Sequence, residues 1–500
     1  MITKQTEKNE LTKGMHTTIN TLGALKAAEY TPKTIKNELR DNLIVALKSG
    51  KQIFPQVHGY EQTVIPQLER AILSKHNINL LGLRGQGKTR IARLMLNLLD
   101  EYIPVVEGSE MNDDPLNPIS RYALDLIKEK GDATPIFWLH RSERFFEKLA
   151  TPDVTIADLI GDIDPIKAAN LKLNYSDERV LHYGMIPRAN RCIFIINELP
   201  DLQARIQVAL FNILEEGDIQ IRGFKLRLPL DLQFIFTANP EDYTNRGSIV
   251  TPLKDRIGSQ ILTHYAQDIK TAKQITQQEA EKLETRHCSV YVPELAKDIL
   301  EQVAFEARSS EYIDAKSGVS ARMSITAYEN LISTAERRAI LNNERETTIR
   351  FSDLLGMIPS ITGKVELVYE GEQEGSSFVA HHLISEAIKT LFLNYFPKIE
   401  KLKKQEEDTP YDEVLTWFFE ANSFELSDEA TESAYLSALN AIEPLKALIQ
   451  KYQPRVAPID MPFLMEFVLW ALVEFKQLSK RRTADGLSIN DIYDQMIKGL

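Results

Sequence analysis

Cysteine is scarce: Cys192 and Cys288 are the two among 500 residues. That excludes a disulfide framework and a cysteine-based zinc site, and it fits a reducing cytoplasm. A surplus of basic residues is also missing. Lys and Arg number 59 against 71 Asp and Glu, for a net charge of −12. Non-specific phosphate-backbone binding needs clustered positive charge, so this balance argues against a dedicated nucleic-acid binder. No run of apolar residues is long enough for a bilayer. The most apolar stretch, Met461 to Phe475, is too short and includes Glu466 and Glu474, which suits a buried helix. The first residues lack the apolar core of a signal peptide. The paired histidine segments His287-Cys288 and His381-His382 have no second ligand pair at a useful spacing, which argues against a metal centre there. No nucleophile-elbow motif is evident.

What remains is ordinary globular composition, 43% hydrophobic and 26% charged, with ample material for more than one core. Residues 1 to about 30 are polar and weakly patterned, which predicts a flexible start. Ile35, Leu39, Leu43 and Leu47 then recur every fourth residue and predict an amphipathic helix over Thr34–Ser49. From 53 to 265, apolar strand-like runs alternate with helical segments, as in a parallel α/β sheet flanked by helices. Asn77 to Leu83 reads as a strand and Thr89 to Leu99 as a helix. Cys192 to Ile196 and Leu232 to Thr237 are nearly continuous apolar runs, suited to strands buried on both faces. Beyond 266 helices dominate, with Ala321–Asn342 as one long helix or two. Lys364–Tyr369 is a strand or an extended arm. The charged stretch Lys401–Asp408 marks a late boundary, and the remainder to Leu500 reads as helical. The short Lys480-Arg481-Arg482 cluster reads as a helix terminus. The expected division is an N-terminal extension (1–52), an α/β nucleotide-binding domain (53–265), a helical lid (266–360) and a mostly helical C-terminal region (361–500).

The segment Gly82-Leu83-Arg84-Gly85-Gln86-Gly87-Lys88-Thr89 fits G-x-x-x-x-G-K-[ST] throughout, between a predicted strand and a predicted helix. Its glycines let backbone N–H groups turn onto phosphates. Lys88 brings a point charge to the β- and γ-phosphates, and Thr89 a hydroxyl to Mg²⁺. Candidate nucleotide contacts are therefore Gly82, Arg84, Gly85, Gln86, Gly87, Lys88, Thr89 and Arg90, with ATP and Mg²⁺ as cofactors. The run Ile193-Phe194-Ile195-Ile196-Asn197-Glu198 ends an apolar strand on a polar pair. Glu198 fills the water-activating position, and Asn197 the position facing the metal's water shell. An amide oxygen still accepts hydrogen bonds there but brings no negative charge. Slowed hydrolysis is the alternative this leaves open.

With these motifs the chain resembles the AAA+ ATPases over about residues 53 to 360, and more closely their magnesium-chelatase motor subunit and MoxR branch. The resemblance adds roles to further residues. Phe236-Thr237-Ala238-Asn239-Pro240 is similar to a sensor-1 strand end, which implies that Asn239 positions the attacking water with Glu198. Pro252-Leu253-Lys254-Asp255-Arg256 makes Arg256 the implied arginine finger, with Arg246 as a competitor. Gly318-Val319-Ser320-Ala321-Arg322 resembles a sensor-2 start and implies Arg322 against the γ-phosphate. Val57-His58-Gly59-Tyr60-Glu61 resembles the segment that packs on adenine, which makes Tyr60 a further nucleotide contact. The long spacing between Thr89 and Glu198 leaves room for a helix-2 insert around Thr151–Asn190. Asp218–Leu228 alternates as a hairpin should, with Arg222 and Phe224 near its tip, and resembles the pre-sensor-1 hairpin. The family implies an oligomeric ring, expected to be a hexamer. It also implies a protein partner such as a separately encoded von Willebrand A-type protein, because the chain holds no D-x-S-x-S motif. The expected activity is ATP hydrolysis that remodels a protein partner or drives cofactor insertion. A weakly hydrolysing nucleotide-binding scaffold, or a nucleic-acid or transcription-related motor, are the alternatives.

Overall fold

Three nearly uninterrupted apolar strands, Ile78–Leu81, Cys192–Asn197 and Leu232–Ala238, form the centre of a parallel sheet in the first half of the chain. The computed structural model describes residues 18–174, 177–221, 227–240, 248–280, 287–399, 409–420, 423–483 and 486–491. It divides into two compact units, Met1–His264 and Tyr265–Leu500.

The strands of the first unit are Ile78–Leu81 (β1), Tyr102–Val106 (β2), Ile136–His140 (β3), Phe145–Leu149 (β4), Gly161–Ile163 (β5), Leu181–Tyr183 (β6), Cys192–Asn197 (β7), Asp218–Gln220 (β8), Arg227–Pro229 (β9), Leu232–Ala238 (β10) and Ser259–Leu262 (β11). Five of them form one sheet in the order β11-β1-β10-β7-β4, every neighbouring pair parallel. Alternate side chains point to opposite faces. Ile193 and Ile195 of β7 join Ile78, Leu80, Ile235 and Ile261 under the helices Ile35–Ser49, Val64–Leu73 and Lys88–Leu94. Phe194 and Ile196, with Phe234 and Phe236, pack on the other face with Ile206 and Leu210 of the helix Ala204–Glu215. Both faces are covered, as the apolar runs require.

Elements outside this sheet extend what the periodicity predicts. β2 and β3 pair antiparallel, as do β5 and β6 within the insert and β8 and β9 of the expected hairpin. Arg222 and Phe224, between β8 and β9, lie outside the described residues, as does Arg246. The chain start differs from expectation. From residue 18 it is built into the fold: Leu22 and Leu25 of the helix Leu22–Ala27 are buried, and the Trp138 indole N–H donates to Ile19 O at 2.7 Å. Backbone bonds from Leu22 N to Thr134 O and from Ile136 N to Asn20 O add to these contacts.

The helix Ile35–Ser49 is tied to the sheet by an ion pair. Arg144, just before β4, sends two nitrogens to the Glu38 carboxylate at 2.7 Å each and two hydrogen bonds to Arg191 O. Both side chains are nearly inaccessible, at 1% and 3%. Glu38 also accepts from Asp100 N.

The second unit packs long helices around its own apolar core, chiefly Glu294–Ser309, Ala321–Leu341, Ser376–Tyr395 and Met461–Glu474. Ala321–Leu341 is a single helix, and every residue from Phe463 to Val473 is buried. Ser289–Tyr291 (β12) pairs parallel with Glu346–Thr348 (β13). Lys364–Tyr369 is extended only locally, with one bridge from Leu367 to Ile313 before a short helix begins at Tyr369. The end of the chain is mostly helical, as expected, and adds a small sheet. Phe424–Ser427 (β14), Leu478–Arg482 (β15) and Gly486–Asp491 (β16) form an antiparallel sheet in the order β14-β16-β15. Lys480-Arg481-Arg482 therefore stands on an edge strand, where exposed basic side chains suit a position that pairs on one side only. Lys401–Asp408 lies outside the described residues. Among the described residues no helix is long and apolar enough to cross a membrane, and no group of three or more His, Cys, Asp or Glu is placed to hold a metal ion.

Candidate nucleotide site

The C-terminal ends of β1, β10, β7 and β4 lie side by side, the edge of a parallel sheet where ligands bind in open α/β folds. The loop after β1 begins with Gly82, whose N–H donates to Ala238 O at 3.1 Å. A Cβ at Gly82 would collide with Thr263 Oγ1 and Gln86 Oε1. Gly85 and Gly87 take left-handed φ values of 73° and 71°, which turn the loop back on itself and into the helix Lys88–Leu94. Arg84 is exposed at the loop's tip. Behind the loop, Gln86 is buried and accepts from the Thr263 hydroxyl at 2.6 Å. The Tyr60 hydroxyl lies 2.8 Å from Gln86 O and 2.6 Å from His264 O. Tyr60 is thus bound to the backbone of the phosphate loop, and its ring meets His264 edge-on. Arg90 reaches Gln56 at 3.2 Å.

Lys88 is buried, and its ammonium donates to Leu83 O at 3.0 Å, to Asn239 Oδ1 at 2.7 Å and to Gly82 O. Asn239, just past β10, passes the link on: its Nδ2 donates to Glu198 Oε2 at 2.9 Å. A second row runs beside the first. Thr89 and Thr237 both donate to Asn197 Oδ1, at 3.4 and 3.1 Å, and the Thr237 hydroxyl accepts from Glu198 N at 3.1 Å. Glu198 itself sits in the left-handed region, at φ 55° and ψ 48°. The predicted residues Lys88, Thr89, Asn197, Glu198 and Asn239 are therefore brought together, although Asn239 is far from the loop in sequence.

The two arginines are not part of these rows. Arg256 ends the helix Thr251–Arg256 and bonds to Glu215 of the neighbouring helix at 2.5 Å, with its guanidinium 5.2 Å over the Phe211 ring. Arg322 belongs to the second unit, in the first turn of a helix capped by Ser320.

One residue escapes the sequence reading. Glu147 of β4 accepts from Asn197 Nδ2 at 2.7 Å and pairs with Arg93 at 2.6 Å. No motif marks it. Its signal is positional: a carboxylate near the end of the strand that borders β7.

Among families, residues 138–257 match the model of the AAA domain (dynein-related subfamily). That span holds Glu147, Asn197, Glu198, Asn239 and Arg256 and begins after the phosphate loop. No curated protein matches the chain. Among solved structures, NtrX from Brucella abortus shares 14% identity at a TM-score of 0.38, covering 69% of this chain and 65% of that one. A closed-state reconstruction of Hsp104 with ATPγS and casein shares 13% at 0.38, covering 66% and 52%. A model of the complex between the BchI and BchD subunits of magnesium chelatase shares 18% at 0.33, covering 64% and 98%.

Proposed function

We propose that this chain, an AAA+ ATPase by the AAA domain it carries at residues 138–257, works as an ATP-driven motor subunit that remodels a protein partner or drives cofactor insertion. The observation that carries the reading is the hydrogen-bonded row Lys88–Asn239–Glu198 across the ends of adjacent strands. A cation, a neutral amide and a carboxylate stand in the order that γ-phosphoryl transfer to water uses. Lys88 would trade its carbonyl acceptors for β- and γ-phosphate oxygens. Glu198 would take the proton of the attacking water while Asn239 orients both partners, so that catalysis rests on position and charge.

The residues present also fit Mg²⁺. Thr89 Oγ1 and Asn197 Oδ1 are hard oxygen donors 3.4 Å apart, and a magnesium ion takes few protein ligands beside phosphate and water. When bound, the ion would neutralise charge on the phosphate oxygens. Thr89 would contact it, and Asn197 would accept from its water shell.

We assign Arg256 as the finger offered to a neighbouring subunit and Arg322 as the sensor of the γ-phosphate. Both roles, like Tyr60 as an adenine contact, rest on the family resemblance. We further propose a homo-oligomeric ring, a hexamer by that resemblance, since an arginine acting in trans needs an abutting subunit; the scarcity of cysteine fits a cytoplasmic location. A separately encoded von Willebrand A-type protein is the proposed partner. Asn197 favours a second reading, a nucleotide-binding scaffold with weak hydrolysis, because the position carries no charge. Steady-state hydrolysis and nucleotide binding by wild type, Lys88→Ala and Glu198→Gln separate the two. The motor requires turnover that Glu198→Gln lowers by about 100-fold or more, with nucleotide still bound. Wild-type turnover no faster than that of Glu198→Gln would leave the scaffold.

A further inference from the structure

We infer that Glu147 is a positioning residue of the nucleotide site: its carboxylate turns the Asn197 amide so that the carbonyl oxygen faces Thr89, and it supplies the negative charge that residue 197 lacks. The inference rests on the reading of this site as one for Mg-nucleotide.

β4 and β7 are parallel, with Glu147 opposite Ile195 and Leu149 opposite Asn197. Glu147 therefore meets Asn197 on the diagonal, within reach of a long side chain on the same face. A carboxylate paired with arginine only accepts hydrogen bonds, so of the two ends of the amide only Nδ2 can face it. The opposite orientation would set the Asn197 carbonyl oxygen 2.7 Å from a carboxylate oxygen. The orientation is thus dictated by chemistry. It leaves Oδ1 toward the Thr89 and Thr237 hydroxyls.

The other carboxylate oxygen is held by Arg93, which lies on the same helix as Lys88 and Thr89. The phosphate-loop helix, β4 and β7 are thereby linked through one carboxylate. A hydrogen bond from an amide to a negative acceptor also polarises that amide, which makes its carbonyl oxygen a better acceptor for metal-bound water.

This arrangement predicts an inverted outcome for the substitution that looks like a repair. The two positions together hold one negative charge in the wild type and none in Glu147→Gln. Asn197→Asp raises the count to two, with carboxylates in contact. The double variant returns to one, with a glutamine amide now donating to a carboxylate at residue 197. Asn197→Asp alone should therefore weaken the site, and Glu147→Gln should rescue it.

The experiment measures affinity for a fluorescent ATP analogue in full-length protein, with Mg²⁺ and with EDTA, for all four sequences. Expected is a loss of about 10-fold in the Mg²⁺-dependent gain for each single variant, with EDTA affinity little changed, and recovery in the double variant. Equal gains in all four, or a double variant worse than both singles, would overturn the inference. Turnover is read separately. If the four affinities follow this pattern while no sequence hydrolyses ATP, Glu147 keeps its role and the motor reading fails. If wild type hydrolyses ATP and the affinities do not follow the pattern, the motor stands and Glu147 is structural. If wild type binds no nucleotide, both fail.

Discussion

Glu466 should make the stability of the second unit depend on pH. It is 2% exposed in the helix Met461–Glu474, and its Oε2 accepts from Phe351 N at 2.9 Å and from the Tyr435 hydroxyl at 2.8 Å. Burial pushes its pKa from 4.5 to about 7, against the pull of those two hydrogen bonds and of Arg350. Below pH 4.5 the group is neutral in the folded and the unfolded chain, and its contribution to stability is full. As the pH rises further, the unfolded chain ionises first, and stability is lost until the folded carboxyl ionises as well, near pH 7. The gap between 4.5 and about 7 corresponds to about 3 kcal/mol, at about 1.4 kcal/mol per tenfold.

Glu466→Gln tests this cleanly. The amide oxygen can still accept from Phe351 and Tyr435, but the group never ionises. Urea unfolding followed by fluorescence, with Trp470 as a reporter in the same helix, should show wild-type stability falling between pH 4.5 and 7 relative to the variant. The difference between the curves should approach about 3 kcal/mol. A constant offset reports the added amide N–H groups, whereas the slope reports ionisation. Parallel curves across this window would refute the reasoning.

Three further outcomes are expected from contacts in the first unit. Glu38→Ala strands the Arg144 guanidinium in the interior, so it should cost about 3–5 kcal/mol in urea unfolding of the full chain. The pair Glu38→Leu with Arg144→Met should recover part of that loss. Gly82→Ala drives a methyl group against Thr263 and Gln86, which should cost about 1–3 kcal/mol and weaken ATP binding measured by fluorescence titration. Mixing Arg256→Ala subunits with Glu198→Gln subunits should restore some hydrolysis if the finger acts in trans. No recovery with assembly intact would count against Arg256 in that role.

Much of the first unit was legible because its signals are local. A strand buried on both faces reads as an apolar run, and the phosphate loop compresses its chemistry into the residues from Gly82 to Thr89. The site residues that were found, Asn197, Glu198 and Asn239, each end such a run. Glu147 was not found because its strand, Phe145–Leu149, is only partly buried and carries no clean alternation. Its contact is with a neighbour 50 positions along the chain. The C-terminal sheet was missed for a similar reason. β15 reads LSKRR, three of its five residues basic, and an edge strand of this kind is specified by the partner it pairs with rather than by its own pattern. The early helix Leu22–Ala27 was hidden by its polar surroundings, since two leucines establish no period.

On the role proposed for Glu198, its left-handed backbone separates what is good for the fold from what is good for the chemistry. An L-residue with a Cβ held there costs about 1–2 kcal/mol, a strain that glycine would relieve. The turn ending β7 would therefore gain from losing the very side chain that faces Asn239. A library of variants screened for heat resistance alone should drift toward glycine or asparagine at this position and, on the role proposed for Glu198, trade hydrolysis for sturdiness.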